Sequence, residues 1–218
     1  MRSSFLATGF LKGGLFFIAT LCVSFSLQAN ETFRENTHYK RVAVAQPDKS
    51  SKQEKIEIIE FFLYSCKHCY ELEPKLEAWL DKNKDKVNFR QVPAVVTPSW
   101  VPLAKAYYVA EKLNVLEKTH DALFKAIHED KEVYLNEYTL SKFYEKHGVK
   151  IDDFMRAYNS EEVINKVSEA RIMSVNYAFR GVPAVVINDE FKTAPFYNRS
   201  QEQMLEVMDY LLVKTTAE

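Results

Sequence analysis

EFFLYSCKHCYE, residues 60–71, is predicted to form a buried apolar strand that continues directly into a helix, with a Cys-X-X-Cys pair at the junction. Backbone N–H groups at a helix N-terminus have no partner within the helix and carry the positive end of its dipole, so they favour a thiolate there. The thiolate is the nucleophile of disulfide exchange, and its pKa controls its reactivity. The stretch therefore predicts that Cys66 and Cys69 form a redox pair.

The first residues of the chain predict a cleavable export signal. Residues 1–29 contain two cations and no acid, with an apolar run over 13–27 and an approximate small-residue cleavage site at Ala29. The apolar run is shorter than the roughly 18 residues that a membrane span needs. Export delivers a chain to an oxidising compartment, where disulfides persist. Cys22 is removed with the signal, which leaves Cys66 and Cys69 in the mature chain.

Other uses of this cysteine pair fit the sequence less well. A disulfide between Cys66 and Cys69 closes a very short loop, for which the loop-entropy stabilisation is only about 2 kcal/mol. A structural zinc site needs a second cysteine pair or a closely spaced histidine pair, and the sequence has neither. Covalent haem attachment needs histidine directly after the second cysteine, where Tyr70 stands instead. Neither a structural staple nor a metal site is predicted.

Charge and length exclude some classes of protein. The formal net charge is −1, and removal of the signal takes away Arg2 and Lys12, so the mature chain is slightly more acidic. This balance argues against a nucleic-acid partner, because such proteins carry a basic surface. The remaining length suits one buried domain, or a domain that carries an insertion.

Hydrophobic periodicity predicts an α/β fold in the order β-β-α-β, a block of helices, then β-β-α. The apolar run at 56–63 is typical of a strand covered on both faces, and helical spacing dominates from Ser99 to Tyr177. A hairpin turn is predicted at Asn188-Asp189, and Ser200 begins a capping-box pattern for the last helix. The predicted strands cover 39–44, 56–63, 87–96, 184–187 and 191–194, and the first helix covers 67–83.

Two motifs resemble a known family, the DsbA thiol:disulfide oxidoreductases. They are the Glu-Phe-Phe stretch followed by Cys-X-His-Cys-Tyr, and the later segment Arg-Gly-Val-Pro-Ala at 180–184. The resemblance covers essentially the whole mature chain and implies a periplasmic protein with a thioredoxin fold carrying an inserted all-helical domain. It divides the mature chain into a first thioredoxin-like part at 30–98, a helical insertion at 99–177 and a second thioredoxin-like part at 178–218.

The resemblance also implies roles for the residues of the cysteine motif and of the later loop. Cys66 corresponds to the exposed nucleophile, Cys69 to the buried resolving thiol and His68 to the histidine between them. Pro183 corresponds to a loop proline that is cis in this superfamily and packs against the active disulfide. Val182 precedes it in the loop. Lys67 stands where proline is usual, and we expect Lys67, Val182 and Pro183 to contact the substrate.

A buried acid below the cysteines is implied as well. Glu60 corresponds to this acid, and Arg90 aligns with a lysine that partners it. Because arginine does not give up its proton at ordinary pH, a proton relay would run through Glu60 and water. The alternative is a buried ion pair between Glu60 and Arg90 without a role in the reaction.

The resemblance implies that Cys66 and Cys69 donate their disulfide to exported proteins with free cysteines during oxidative folding. It implies reoxidation by an inner-membrane, DsbB-like, quinone-linked partner, with no metal or organic cofactor. Three alternatives stay open at this point. The same chemistry can run as a reductase or isomerase, a non-catalytic periplasmic chaperone can hold peptides near Pro183, or the cysteine pair and a histidine can handle copper.

Overall fold

The structure is a computed structural model that describes residues 33–42, 55–134, 136–178 and 180–217. The predicted export signal at 1–29, with Cys22, lies outside these residues, and so does the end of the first predicted strand. Within the described part of the chain, no helix has both the length and the apolar character needed to cross a membrane.

A mixed sheet of five strands forms the centre of the described structure, in the order β1-β5-β4-β2-β3. The central strand β2 pairs parallel with β3 and antiparallel with β4, and β4 pairs antiparallel with β5. The residues from Ile58 to Phe62 of β2 are completely buried because the sheet is covered on both faces. The strands are β1 Lys40–Arg41, β2 Ile56–Phe62, β3 Val87–Pro93, β4 Ala184–Ile187 and β5 Phe191–Thr193.

Seven helices of the described residues cover the two faces of this sheet. Helices α1 and α7 pack on the face that carries Ile58, whereas α2 to α6 pack on the face that carries Ile59. The alternation follows from the strand geometry, in which successive side chains point to opposite faces. The helices are α1 Lys67–Asn83, α2 Val101–Lys112, α3 Leu116–His128, α4 Glu137–Lys146, α5 Ile151–Tyr158, α6 Glu161–Asn176 and α7 Gln201–Ala217.

The α/β fold class is confirmed, and most predicted elements lie where the sequence placed them. The first helix has the predicted bounds, and five helices stand between β3 and β4. Strand β3 ends at Pro93 rather than at 96, because its partner strand β2 ends at Phe62, the residue opposite Pro93. Asn188 and Asp189 form the hairpin turn with φ of 55° and 53°. The domain boundaries at 98 and 177 stay predictions.

The start of the last helix shows part of the predicted capping box. The Ser200 hydroxyl accepts the N–H of Gln203 at 3.2 Å, and the Gln203 side chain accepts the N–H of Arg199 at 2.7 Å. In addition, the Gln201 amide donates to the carbonyl of His68 at 2.7 Å. The beginning of α7 is therefore attached to the first turn of α1, where the cysteine motif lies.

Leu76 offers a test of the packing of α1 on the sheet, because its side chain is only 1% exposed within the cluster formed by α1, α7 and the sheet. We expect Leu76→Ala to lower the free energy of unfolding by about 2–5 kcal/mol through the lost burial and the cavity left behind. Urea unfolding measures the change. Glu77→Ala, at the exposed neighbouring position, is the control and should stay within about 0.5 kcal/mol of the parent. Equal effects of the two substitutions would contradict this packing.

Candidate active site

The cysteine motif forms the first turn of α1, directly after the buried strand β2. Cys66 is the N-cap residue, with extended backbone angles (φ −88°, ψ 114°), and its sulfur accepts the N–H of Cys69 at 3.4 Å. No acidic residue occupies the first turn of this helix. The positive end of the helix therefore faces the Cys66 sulfur without a nearby negative side chain in that turn.

The two thiols of the motif have very different surroundings. Both are free in this structure, with Cys66 partly exposed and Cys69 completely buried. Burial raises the pKa of the Cys69 thiol well above its ordinary value, and the neighbouring Cys66 raises it further. Cys66 is therefore the sulfur that an incoming thiolate can reach, and Cys69 is the one that holds its proton.

Hydrogen bonds to its sulfur lower the pKa of the Cys66 thiol to about 6. The Cys69 side chain makes the largest contribution, partial burial opposes it, and the backbone N–H groups of Cys69 and His68 add to the lowering. The charge on the His68 ring contributes less than these hydrogen bonds. The hydrogen-bond donors of the first turn are thus the main cause of the lowered pKa of Cys66.

The side chains of Lys67 and His68 are turned towards an acid on the next turn of the helix. Lys67 Nζ lies 3.4 Å from Glu71 Oε1, and His68 Nδ1 lies 3.2 Å from Glu71 Oε2. Both cationic side chains are more than 70% exposed. These contacts lower the pKa of the Glu71 carboxyl, with His68 as the main cause. Glu71 therefore competes with the Cys66 thiolate for the two groups beside it.

The loop before β4 brings Val182 and Pro183 to the cysteine motif. The peptide bond between them is cis, as predicted for Pro183, and the Pro183 side chain is buried. The Cys66 thiol faces the carbonyl oxygen of Val182 at 3.4 Å. Since β4 pairs directly with β2, the sheet holds this loop beside the strand that leads into the motif.

Glu60 lies in β2 with no exposed surface. The Gln91 amide donates to Glu60 Oε2 at 2.9 Å, and Oε1 has no hydrogen-bond partner among the described residues. Burial raises the pKa of the Glu60 carboxyl well above its ordinary value, and the nearby Glu73 raises it further. Glu60 in turn helps to raise the pKa of Cys69. The structure thus brings a carboxyl with a raised pKa close to the buried thiol.

The predicted pairing of Glu60 with Arg90 is wrong. Arg90 Nε donates to Glu57 Oε1 at 2.8 Å, on a partly exposed surface. In the parallel pairing of β2 with β3, Arg90 is opposite Ile59 and Gln91 is opposite Glu60. Opposite residues of paired strands point to the same face, so the residue next to Arg90 reaches the acid and Arg90 reaches the other face. The side chain beside Glu60 is consequently a neutral amide.

A set of polar side chains around Gln91 was not identified from the sequence. Gln91, Glu73, His120 and Tyr64 are linked by contacts of 2.8–3.5 Å. They come from β3, from α1, from α3 and from the residues after β2, so only the folded chain brings them together. The one available signal was the strand register, because applying it to β2 and β3 would have placed Gln91 opposite Glu60.

Among the described residues, one cluster has the donor atoms that a metal ion requires. It consists of Glu73, His120 and Asp121, whose ligand atoms lie within 4.8 Å of one another. His120 Nε2 is already in contact with Gln91 and Glu73, so the atom that would bind a metal serves the polar set just described. The cysteine motif itself is not part of this cluster.

Comparison with known proteins gives a consistent result. Residues 92–209 match the family described as the DSBA-like thioredoxin domain. The chain is 38% identical over 158 residues to the thiol:disulfide interchange protein DsbA of Burkholderia cepacia, which covers 72% of this chain and 74% of that protein. Among solved structures, oxidoreductase DsbA from Xylella fastidiosa is 32% identical with a TM-score of 0.75, covering 83% of this chain and 96% of that one. DsbA of Pseudomonas aeruginosa is 28% identical with a TM-score of 0.77, covering 85% and 95%.

The low pKa of Cys66 can be tested in the reduced protein. We expect thiolate absorbance to rise with a midpoint near pH 6, because the first turn of α1 stabilises the charged sulfur. Cys66→Ser should abolish this step. Cys69→Ser should move the midpoint upward if the Cys69 thiol donates the more effective hydrogen bond. A midpoint at about 8.5, the value of a free thiol, would contradict the assignment.

The lowered pKa of Cys66 also affects the free energy of unfolding of the reduced protein. The folded pKa of Cys66, about 6, lies below that of an unfolded thiol, so the thiolate stabilises the reduced protein at a pH above the unfolded value. This contribution is lost progressively as the pH falls through about 6. Urea unfolding of the reduced parent and of reduced Cys66→Ser is measured between these two pH values. The difference between their free energies of unfolding should become smaller as the pH falls.

Glu71 should hold the pKa of Cys66 higher than the helix alone would set it. In Glu71→Gln the groups on Lys67 and His68 lose their carboxylate partner, so we expect the thiolate midpoint of Cys66 to move to lower pH. Glu77→Gln, with its acid on the same helix but at an exposed position about three turns from Cys66, is the matched control and should leave the midpoint in place. An upward shift in Glu71→Gln would show that Glu71 does not compete with the thiolate.

Proposed function

The chain belongs to the DsbA family of thiol:disulfide oxidoreductases, and we propose that it donates the disulfide of Cys66 and Cys69 to proteins with free cysteines. One observation carries the proposal: a partly exposed thiol with a pKa of about 6 is joined to a buried thiol with a raised pKa. In that pair one sulfur is reachable and is a good leaving group, while the other is shielded. Both properties are needed for transfer of a disulfide to another protein.

The transfer begins with a thiolate of the substrate protein, which attacks Cys66 Sγ in the disulfide. A new sulfur–sulfur bond forms to Cys66, the bond between Cys66 and Cys69 breaks, and Cys69 departs as a thiolate that takes up a proton. A second thiolate of the substrate then attacks the substrate sulfur that is bonded to Cys66 in the mixed disulfide. Cys66 leaves as a thiolate, the substrate gains a disulfide, and two electrons remain on the cysteine pair.

The pKa values of the two cysteines favour this direction. Because Cys66 is the better leaving group at neutral pH, the second step releases substrate readily. Stabilising the thiolate also stabilises the reduced protein relative to the oxidised one, which makes the disulfide a stronger oxidant, an effect for which DsbA itself is the standard example. The oxidised protein should therefore be less stable than the reduced protein, the reverse of what a structural disulfide does.

We assign the proton for Cys69 to Glu60. The departing Cys69 thiolate is buried in apolar surroundings, which disfavour its charge. Glu60 is buried nearby, burial raises its pKa well above the ordinary value and so favours its protonated form, and Gln91 holds one of its oxygens while the other has no partner among the described residues. A neutral carboxylic acid in this position can give a proton to Cys69 and recover one before the next cycle.

The loop at Val182 and Pro183 is the proposed contact for the substrate backbone. The Val182 carbonyl already lies against the Cys66 sulfur, and an extended substrate segment can pair with such an exposed backbone edge. Pro183 presents no N–H towards the sulfurs. Lys67, the residue after Cys66, is exposed, and we propose that it contacts substrate. The backbone N–H of His68 is a further hydrogen-bond donor to the Cys66 sulfur.

Membership of the family supports a proposal for the compartment and the partners of the reaction. We propose a periplasmic location, reached through the predicted signal at 1–29, with exported proteins as substrates. A DsbB-like quinone-linked membrane protein is the proposed reoxidant. The redox group is the cysteine pair, so the reaction as proposed uses no further cofactor.

Disulfide transfer to a reduced protein with two cysteines tests the function directly. We expect the oxidised parent to oxidise the substrate and Cys66→Ser to be inactive. Cys69→Ser cannot form the internal disulfide, so it should not oxidise the substrate unless an oxidant is added. Retention of substrate protection from aggregation by Cys66→Ser, without any transfer by the parent, would instead mark a peptide-binding chaperone.

Urea unfolding of the oxidised and reduced forms separates an oxidant from a staple and from a reductase. We expect the reduced form to unfold at the higher urea concentration, because its thiolate is stabilised by the helix terminus. If oxidation raises the stability by several kcal/mol, as a structural or reducing disulfide does, the proposed direction of transfer is wrong.

A further inference from the structure

A polar connection joins Glu60 to the helical insertion. Gln91 Nε2 lies 2.9 Å from Glu60 Oε2, 3.1 Å from Glu73 Oε1 and 3.3 Å from His120 Nε2. His120 Nε2 also lies 3.5 Å from Glu73 Oε1. The second ring nitrogen, Nδ1, lies 2.8 Å from the hydroxyl of Tyr64. One amide group therefore touches two carboxyls and an imidazole at once.

His120 is held rigidly at the end of this connection. It belongs to α3 and is 9% exposed, within rings of Phe62, Tyr64, Tyr107 and Phe124 whose centroids lie 5.2–5.9 Å from its own. A buried imidazole needs a partner for each nitrogen, and here one partner is a neutral hydroxyl and the other is a carboxyl. The imidazole is thereby directed at Glu73 rather than at solvent.

The charge balance of the site makes the imidazole important. Glu60 and Glu73 share the Gln91 amide, and two carboxylates so close together disfavour each other's ionised form. Arg90 does not compensate for them, because it pairs with Glu57 on the opposite face of the sheet. Within the polar connection, His120 is the side chain that can carry a positive charge.

We propose that His120 is the positioning residue that sets the pH range over which Glu60 holds its proton, acting through Gln91 and Glu73. A charged imidazole stabilises the Glu73 carboxylate and so allows Glu60 to ionise. A neutral imidazole leaves the negative charge of Glu73 uncompensated, and Glu60 then retains the proton that Cys69 needs. The inference rests on the proposed role of Glu60 as the proton donor.

The titratable groups around His120 come from several elements. Glu73 faces it from α1 and Tyr64 from the segment after β2. Tyr107 faces it from α2, and Asp121 is its neighbour on α3, where the two side chains and Glu73 bring ligand atoms within 4.8 Å. Burial raises the pKa values of both tyrosines far above neutral pH. The two tyrosines therefore stay neutral at neutral pH and add no charge to the polar connection.

The first experiment follows the side-chain carboxyl carbon of Glu60 by NMR. The sample is the complete mature protein in its reduced form, with isotope-labelled glutamate. The Glu60 signal is assigned by its loss in Glu60→Gln. We expect His120→Gln to move the titration of Glu60 to higher pH, and Glu73→Gln to move it to lower pH, each by about one unit, as charges at this range do. A general loosening of the site would move both variants in the same direction.

Arg90→Gln is the matched control for loss of a cation. It removes a positive charge from the residue next to Gln91 in β3, but on the face turned away from Glu60, so the Glu60 titration should not move. A shift with Arg90→Gln equal to that with His120→Gln would overturn the assignment to His120. So would a Glu60 titration that is unchanged in both His120→Gln and Glu73→Gln.

The reciprocal measurement needs no change at His120. Coupling between two sites acts equally in both directions, so Glu60→Gln should lower the pH at which the His120 ring signals titrate, while the ring signals of exposed His68 stay in place. Unmoved His120 signals in Glu60→Gln would overturn the inference even if His120→Gln does not fold.

Exchange kinetics separate this inference from the proposed function. The rate of disulfide transfer is measured against pH for the parent, Glu60→Gln, His120→Gln and the double variant. His120→Gln should shift the profile of the parent and have no further effect in Glu60→Gln, because it acts through that carboxyl. A full effect in the double variant would overturn the inference. An unchanged profile in Glu60→Gln, together with the NMR shifts, would refute the proton role of Glu60 while upholding the coupling.

Discussion

The interaction on which the rest of the site depends is the hydrogen bonding of the Cys66 sulfur by the first turn of α1. The sulfur takes the N-cap position and accepts the N–H of Cys69, so charge on Cys66 satisfies helix donors that otherwise have no partner. The same geometry buries Cys69 three residues later, on the inner side of the helix. One helical turn thus gives an accessible thiol with a lowered pKa and a buried thiol with a raised pKa. The directed exchange of a disulfide needs both.

Because Cys69 is buried, the protein needs a source of a proton beside this thiol. A buried thiolate on Cys69 is costly unless a proton is at hand, and the buried sheet supplies a carboxyl, Glu60, whose burial raises its pKa and so favours the protonated form. The neighbouring strand contributes a neutral amide, Gln91, instead of a cation. The amide leads on to Glu73 and to His120 in the helical insertion, so the inserted helices do more than cover the sheet: they bring a titratable group to the proton donor.

Individual residues show how far sequence reasoning reached and where it stopped. The helix start at Cys66, the burial of Cys69 and Glu60, and the loop at Pro183 were predicted from local pattern and family resemblance, and the structure places all of them together. The pairing of Arg90 with Glu60 was inferred from the family resemblance. It is wrong, because the strand register places Arg90 on the other face of the sheet. The sequence places Lys67 and His68 next to Cys66, yet both side chains pair with Glu71, because side-chain direction on a helix surface depends on partners one turn away.

The sequence by itself determined the elements, their order and the identity of the redox pair, because strand and helix periodicity, capping and the Cys-X-X-Cys spacing are local properties of the chain. Tertiary structure alone decided which side chains meet across those elements. Gln91, Glu73, His120 and Tyr64 are scattered over 57 positions of the sequence from 64 to 120 and carry no common spacing. Strand register and helix packing bring them to Glu60, and such contacts follow from the shape of the whole core rather than from any segment of it.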